Sequence, residues 1–218
     1  MSHKNLFISS CIIILSLSFT SIFAQAWQKK VDKNDIAVYL RDVEGSNFKE
    51  FKGETVVKSS LNALVALIND HEAMPDWMYN CSESELLKKL DNNEGYYYSY
   101  AKAPWPVSDR DAVTKFSINQ NPKTKTVVVT LLGEKDFIPE KSGKVRVESI
   151  TGKWKFQPID SETVKVIYQL HTDPSGSIPS SLANSFVVDL PYETLKNLKN
   201  EVKKEKYVNA NLEGIEEL

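Results

Sequence analysis

The 218-residue chain holds two cysteines, three histidines and eight glycines, and each scarcity closes off a class of protein. Cys11 sits inside an N-terminal apolar run, so a chain trimmed of that run keeps only Cys81 and has no internal disulfide. A lone cysteine is more often a small packed residue than a nucleophile. The string "ISSC" is not a lipid-acceptor site either, because most of the apolar run follows Cys11 instead of preceding it. His3 lies ahead of the apolar run, and His71 and His171 are isolated. With no H-E-x-x-H string and no Cys/His cluster, the chain carries no zinc motif. "HEAMPD" brings His71, Glu72 and Asp76 close in sequence, which reads as a solvated helix end. No G-x-S-x-G string marks a hydrolase nucleophile. A net charge of −2 offers no basic surface to a phosphate backbone, which argues against nucleic acid. Repeats, low-complexity tracts and Gly/Ser-rich linkers are missing after residue 27, so the chain reads as one domain over about 27–212 with a short tail at 213–218. Nothing in the pattern calls for a metal or a cofactor.

What is present begins with a leader. Lys4 precedes the apolar run Leu6 to Phe19, and "SIFAQAW" supplies small residues at Ala24 and Ala26. A basic start, a short apolar stretch and an A-x-A site read as a secretory signal peptide over 1–26, cleaved after Ala26 or after Ala24. The run falls short of the roughly 20 apolar residues that a membrane span needs, although an uncleaved anchor is the other reading. The expected mature protein is extracytoplasmic, periplasmic or secreted. The remaining residues, 41% hydrophobic and 26% charged over the whole chain, suffice for one sizeable core.

Periodicity then sets the elements. "DIAVYLRD" (35–42) and "FKEFKGETVVKS" (48–59) read as two strands across a Gly45-Ser46-Asn47 turn. Leu61, Leu64, Val65 and Ile68 share a helical face behind Ser60 as N-cap, and a short helical turn follows near Pro75 to Tyr79. Six β-rich segments come next: 83–90, 96–102, 111–118, 126–132, 145–156 and 163–171. Short turns between them imply an antiparallel meander. Ser177 and Pro179 open a long C-terminal helix with Leu182, Phe186 and Leu190 on one stripe. Leu195, Leu198 and Val202 resume the stripe, Lys199, Lys203 and Lys204 crowd the end, and Pro191 is expected to kink the helix. The class is α+β: two strands, helix, six strands, long helix, with the last helix covering one face of the sheet.

Three strings carry a resemblance. "PWPVSDRD" (104–111) fits a Pro-x-Pro-x-Ser-x-Arg-Asp pattern, "GKVRVESITGKWKF" (143–156) a Gly-x-Val-Arg strand, and "HTDPSGSIPSSLANS" (171–185) an Asp-x-x-Gly-x-Ile-Pro lead-in to a helix. In that order and spacing they resemble the StAR-related lipid-transfer (START) family over about residues 30 to 205. The resemblance implies a helix-grip fold, a curved antiparallel sheet wrapped around a long C-terminal helix with an internal hydrophobic cavity. It implies a binder of lipid or another apolar molecule, not an enzyme, that meets a membrane surface transiently and works as a monomer. The alternatives are a helix-grip enzyme, cyclase-like or hydrolase-like, and a secreted interaction domain whose cavity is filled.

Within that frame Pro104 and Pro106 hold an extended connection, Trp105 plugs the underside of the loop, and Ser108 and Asp109 supply acceptors for its turn. Arg110 and Asp111 alternate faces and take different partners. Strand alternation and the family pattern place Ser99, Ala101, Ala112, Thr114 and Phe116 toward the cavity. Lys115 faces away, against a sterol-type polar clamp. Arg146, Glu148 and Ile150 share a face, and Arg146 beside Glu148 would make a charged pair for a hydroxyl or headgroup at the cavity's end. Leu182, Phe186 and Leu190 form the apolar roof. The first half of the C-terminal helix, with the loops at 103–109 and 134–143, is the expected gate.

Overall fold

The computed structural model describes residues 25–103, 105 and 107–218. The expected leader therefore lies outside the described residues except for Gln25 and Ala26, and so do Pro104 and Pro106. Ten strands form one sheet among the described residues: β1 (Gln28–Lys33), β2 (Ile36–Arg41), β3 (Glu50–Lys58), β4 (Cys81–Lys89), β5 (Glu94–Ala101), β6 (Arg110–Gln120), β7 (Val127–Gly133), β8 (Val145–Arg146), β9 (Ser149–Pro158) and β10 (Thr163–Asp173). Their order is β1-β2-β3-β10-β9-β7-β6-β5-β4, antiparallel throughout, with β8 pairing parallel to the start of β6. The last strand thus closes against the third.

Two strands exceed the expectation. β1 reads "QKKVDK", an edge strand with Val31 as its one half-buried side chain, so no alternation announces it. The expected strand over 145–156 is cut in two at Val147 and Glu148. Its first piece turns to β6, where the Val145 and Val147 N–H groups donate to the Asp109 and Asp111 carbonyls at 2.9 Å each.

Helix α1 (Leu61–Asn69) forms as its pattern predicts. The Ser60 side chain accepts from the Ala63 N–H at 3.1 Å, and Leu61, Leu64, Val65 and Ile68 are buried. Glu217 adds a second cap: its carboxylate accepts from the Leu61 and Asn62 N–H groups at 2.9 Å each, where the helix dipole favours an anion. Ile215 is buried beside it. Residues 213–218, expected as a tail, are docked onto α1 because that carboxylate and one apolar side chain find partners there. A 3₁₀ turn (His71–Ala73) and α2 (Met74–Trp77) follow α1.

The C-terminal helix is interrupted, as Pro191 leads one to expect. α3 (Ser180–Phe186) stops, Val187 and Val188 intervene, and α4 (Asp189–Glu201) starts afresh; a single turn, α5 (Glu205–Val208), comes after. Pro191 lies in the first turn of α4 and has no N–H to give the Val187 carbonyl four residues back, so the helix is interrupted one turn before it, with Val187 and Val188 still in the right-handed helical region. Leu195 and Leu198 of α4 are fully buried against β2 and β3. Gly53 permits this approach: a Cβ there would lie 2.7 Å from a Leu195 methyl and 3.1 Å from the Pro191 ring. The core continues across the concave face through Trp77, Trp154, Phe156 and Tyr168, with the Trp154 and Tyr168 rings stacked at 3.9 Å.

Candidate functional site

The three strings singled out in the sequence meet at one corner, where β6 begins. Asp111 points to the outer face of the sheet and receives Arg146 through two hydrogen bonds, at 2.9 and 3.1 Å. Both side chains are buried, at 1% and 6% exposure. The remaining Arg146 donors go to the carbonyls of Lys135 at 2.7 Å, Ile138 at 3.1 Å and Pro139 at 3.3 Å. A guanidinium has five N–H groups, and all five are taken. The Asp111 hydrogen bonds raise the Arg146 pKa above its ordinary value. The pair therefore locks the 134–143 loop onto the outer face. Glu148, expected beside Arg146, is exposed and pairs with Lys135 instead. The break after β8 separates the two, and neither lines the apolar cavity.

Arg110 points the other way. Its cross-strand neighbour on β5 is Ala101, and it shares the inner face with Ala112, Thr114 and Phe116. Its guanidinium donates to the carbonyls of Ser108, Pro174 (3.3 Å) and Ser175 (3.1 Å). The carbonyls beyond β10 are presented by a tight turn in which Ser175 and Gly176 have φ of 57° and 67°, held by the Ser175 N–H donating to Asp173 at 2.9 Å. Only glycine takes such a φ without cost, and a Cβ on Gly176 would also meet Val145 at 3.3 Å. Asp109 closes the base of the loop before β6, accepting from the Tyr100 hydroxyl and from the Ala103 N–H. These donors hold its carboxyl below the usual range, and the hydrogen bond to Asp109 pushes the Tyr100 phenol up to about 12. Trp105, expected beneath this loop, is 92% exposed at its tip. The loop's underside is filled by Ala103 and Val107 facing the cavity, which leaves the indole no place inside.

The cavity lies at this end of the molecule and has a volume of about 180 Å³. Its walls are Phe51 of β3, Leu170 of β10, and Ile178, Phe186, Val187 and Leu190 around the break between α3 and α4. Phe51 and Leu170 are direct cross-strand partners. Phe48 and Lys49 of the loop before β3 complete the rim with Lys102 and Arg110. No histidine, cysteine or carboxylate lines the cavity among the described residues. Of the expected contact residues, Phe186 and Leu190 line it. Phe116 is buried deeper in the core, Ala112 and Thr114 are buried beside it, and Ser99, Ala101, Ile150 and Leu182 are half-buried and off the cavity wall. Phe48, Phe51 and Leu170 went unnoticed, although alternation within β3 and β10 would have pointed to the last two.

A second void, of about 10 Å³, lies deeper, among His71, Met74, Trp77, Tyr97, Phe116 and Trp154. His71 stacks on Tyr97 at 4.6 Å, and neither of its ring nitrogens has a hydrogen-bond partner, nor does the Trp77 indole nitrogen. Burial lowers the His71 pKa to about 4, so the ring is neutral. Among the described residues no cluster of His, Cys, Asp or Glu could hold a metal, and no helix is long and apolar enough to cross a membrane.

The tether on α3 was also not read from the sequence. Asn184 accepts from the Lys49 N–H at 3.0 Å and donates to the Asn47 carbonyl at 3.2 Å. The helix over the cavity is thus fastened to the loop between β2 and β3. The 134–143 loop, expected as part of the gate, is instead occupied with Arg146.

Known proteins are similar to this chain. A STAR-related lipid transfer protein from Xanthomonas axonopodis superposes with a TM-score of 0.76 at 40% identity, covering 82% of this chain and 99% of that one. An uncharacterized Pseudomonas aeruginosa protein is 38% identical over 83% of this chain and 89% of its own length. The rat phosphatidylcholine transfer protein is 26% identical over 72% of this chain and 75% of its own. The START domain family model matches residues 22–206, a span that holds the Arg-Asp corner, the cavity and the helices over it, and the chain belongs to the START domain family.

Proposed function

We propose that this protein binds a lipid in the cavity under α3 and exchanges it at a membrane surface. The observation that carries the reading is the cavity itself, walled by Phe48, Phe51, Leu170, Ile178, Phe186 and Leu190 and opening beside an exposed Trp105. The names of the Xanthomonas and rat relatives support lipid as the cargo. At about 180 Å³ the cavity is below the roughly 300–1,000 Å³ of small-molecule sites, so a long-chain lipid must displace part of the wall. α3 is the wall with least to hold it. It has seven residues and no side-chain cap, and a helix that short has little stability of its own. The Val187–Val188 break lets it swing without disturbing α4.

Trp105 supports the membrane step. An indole at the tip of a rim loop suits the interface between water and lipid, and Lys49 and Lys102 at the same rim favour an anionic surface. The reading is of a binder and not a catalyst, since the cavity wall offers no carboxylate or imidazole for acid–base work. The protein is proposed to act as a monomer, outside the cytoplasm, after removal of the leader. Native mass spectrometry of protein purified from its own host tests the cargo: a co-purified lipid is expected, and a protein that neither carries nor takes up lipid from vesicles would overturn the reading. N-terminal sequencing of exported material is expected to begin at Gln25 or Trp27; a retained Met1 on soluble cytoplasmic protein would remove the localisation.

A further inference from the structure

We propose that Arg110 is the head-group receptor of the cavity and that the cargo is an acyl lipid with an acidic head, a carboxylate or a phosphate. The proposal rests on the reading of the cavity as a lipid site and names the class of lipid it selects. Three of the lining residues are cations, Lys49, Lys102 and Arg110, and no acid lines the wall among the described residues. Lys49 is paired with Asp42 outside the cavity. Among the described residues Arg110 has no carboxylate within ion-pair distance; its partners are three backbone carbonyls. One bond comes from each of its three nitrogens, so one N–H on each terminal nitrogen is uncommitted. Two N–H groups on the terminal nitrogens of one guanidinium match the two oxygens of a carboxylate or of a phosphate.

The corner is built to hold this charge in place and leave it unneutralised. Two of the three carbonyls come from a turn with two consecutive residues at positive φ, and Gly176 leaves its own Cβ position open 3.6 Å from an Arg110 terminal nitrogen. Carbonyl dipoles fix the group's direction without cancelling its charge. Desolvation lowers the Arg110 pKa, with Asp109 opposing it, which is the condition of a cation facing an apolar space. An anion seated there removes the cost of the unpaired charge. A neutral hydroxyl removes little of it. A zwitterionic head brings a further cation to a wall that already carries three.

Isothermal titration of the purified protein with oleate, oleoyl lysophosphatidate and oleyl alcohol, each below its aggregation limit, tests this. The three share one chain and differ in the head. At least tenfold tighter binding of one or both acids over the alcohol is expected; preference for oleate alone assigns a carboxylate, and for lysophosphatidate alone a phosphate. Arg110→Gln should bring the acids down to the affinity of the alcohol, and Arg110→Lys should recover part of the difference. Equal binding of all three by the unaltered protein would overturn the proposal while leaving the lipid reading intact. Binding of none would overturn both. Because the comparison among heads is made on the unaltered protein, it stands even where a variant fails to fold.

Discussion

Arg110 and Arg146 enter the same corner of the fold, on opposite faces of the sheet, and are treated in opposite ways. On the outer face Arg146 spends five N–H groups on one carboxylate and three carbonyls. On the inner face Arg110 has three carbonyls and no carboxylate. A buried charge with complete partners serves architecture, since it pins a loop and offers a ligand nothing. A charge left incomplete beside an apolar cavity is costly to the empty protein and of use to a ligand of opposite sign. The same contrast separates the two ends of the C-terminal segment. α4 is sealed against Gly53 through Leu195, whereas α3 rests over a cavity and is tethered through the Asn184 side-chain amide.

The strongest way to break the comparison is at the closed side. Arg146→Met strands Asp111 without a partner in the interior, and loss of one member of such a pair costs about 3–5 kcal/mol. Chemical denaturation should show a loss of that size, with lipid affinity of the surviving folded fraction unchanged; a stable variant with weakened binding would return Arg146 to the site. Acid probes the inner face at the deeper void. His71 is neutral with a pKa of about 4, while the unfolded chain protonates near 6.5. Stability from this group is therefore complete above about pH 6.5, declines as the pH falls and levels off below about 4, a total of about 3 kcal/mol. His71→Phe should flatten the denaturation midpoint across that window, and an unchanged slope would mean that other groups carry it.

Smaller effects belong to the open side. Asn184→Ala removes both bonds from α3 to the loop before β3, at a cost of about 1 kcal/mol. Exchange of a fluorescent fatty acid, followed by stopped flow, should speed up several-fold. An unchanged rate would move the gate elsewhere. Trp105→Ala should leave stability within about 0.5 kcal/mol, as surface substitutions do, yet reduce sedimentation with anionic vesicles; equal sedimentation would make the exposed indole irrelevant to docking.

Much of the fold was legible because its periods were clean. Ser60 capped α1 as expected, and the stripe Leu61, Leu64, Val65, Ile68 went inside. Ala112, Thr114 and Phe116, given inward parity by alternation, are buried, though none of them lines the cavity. That same parity places Arg110 inside, a consequence that the sequence already contained. Errors arose where chemistry was chosen by neighbourhood in the chain. Arg146 and Glu148 are two residues apart, but the strand breaks between them, and the true partner, Asp111, is 35 positions away. Trp105 was put inside because it is large and apolar, though nothing local says whether a loop tip faces protein or solvent.

The sequence by itself determined the strand and helix periods, the faces of β5 and β6, the cap of α1, and the family through three short strings, because each depends on side chains within a few residues of one another. Tertiary structure alone decided which of two neighbouring charges is neutralised. Arg110 and Asp111 are adjacent in the chain and of opposite sign, yet the pleat sends them to opposite faces, where Asp111 meets Arg146 and Arg110 meets only carbonyls. Partners are set by packing across the sheet, and packing is a property of the closed fold.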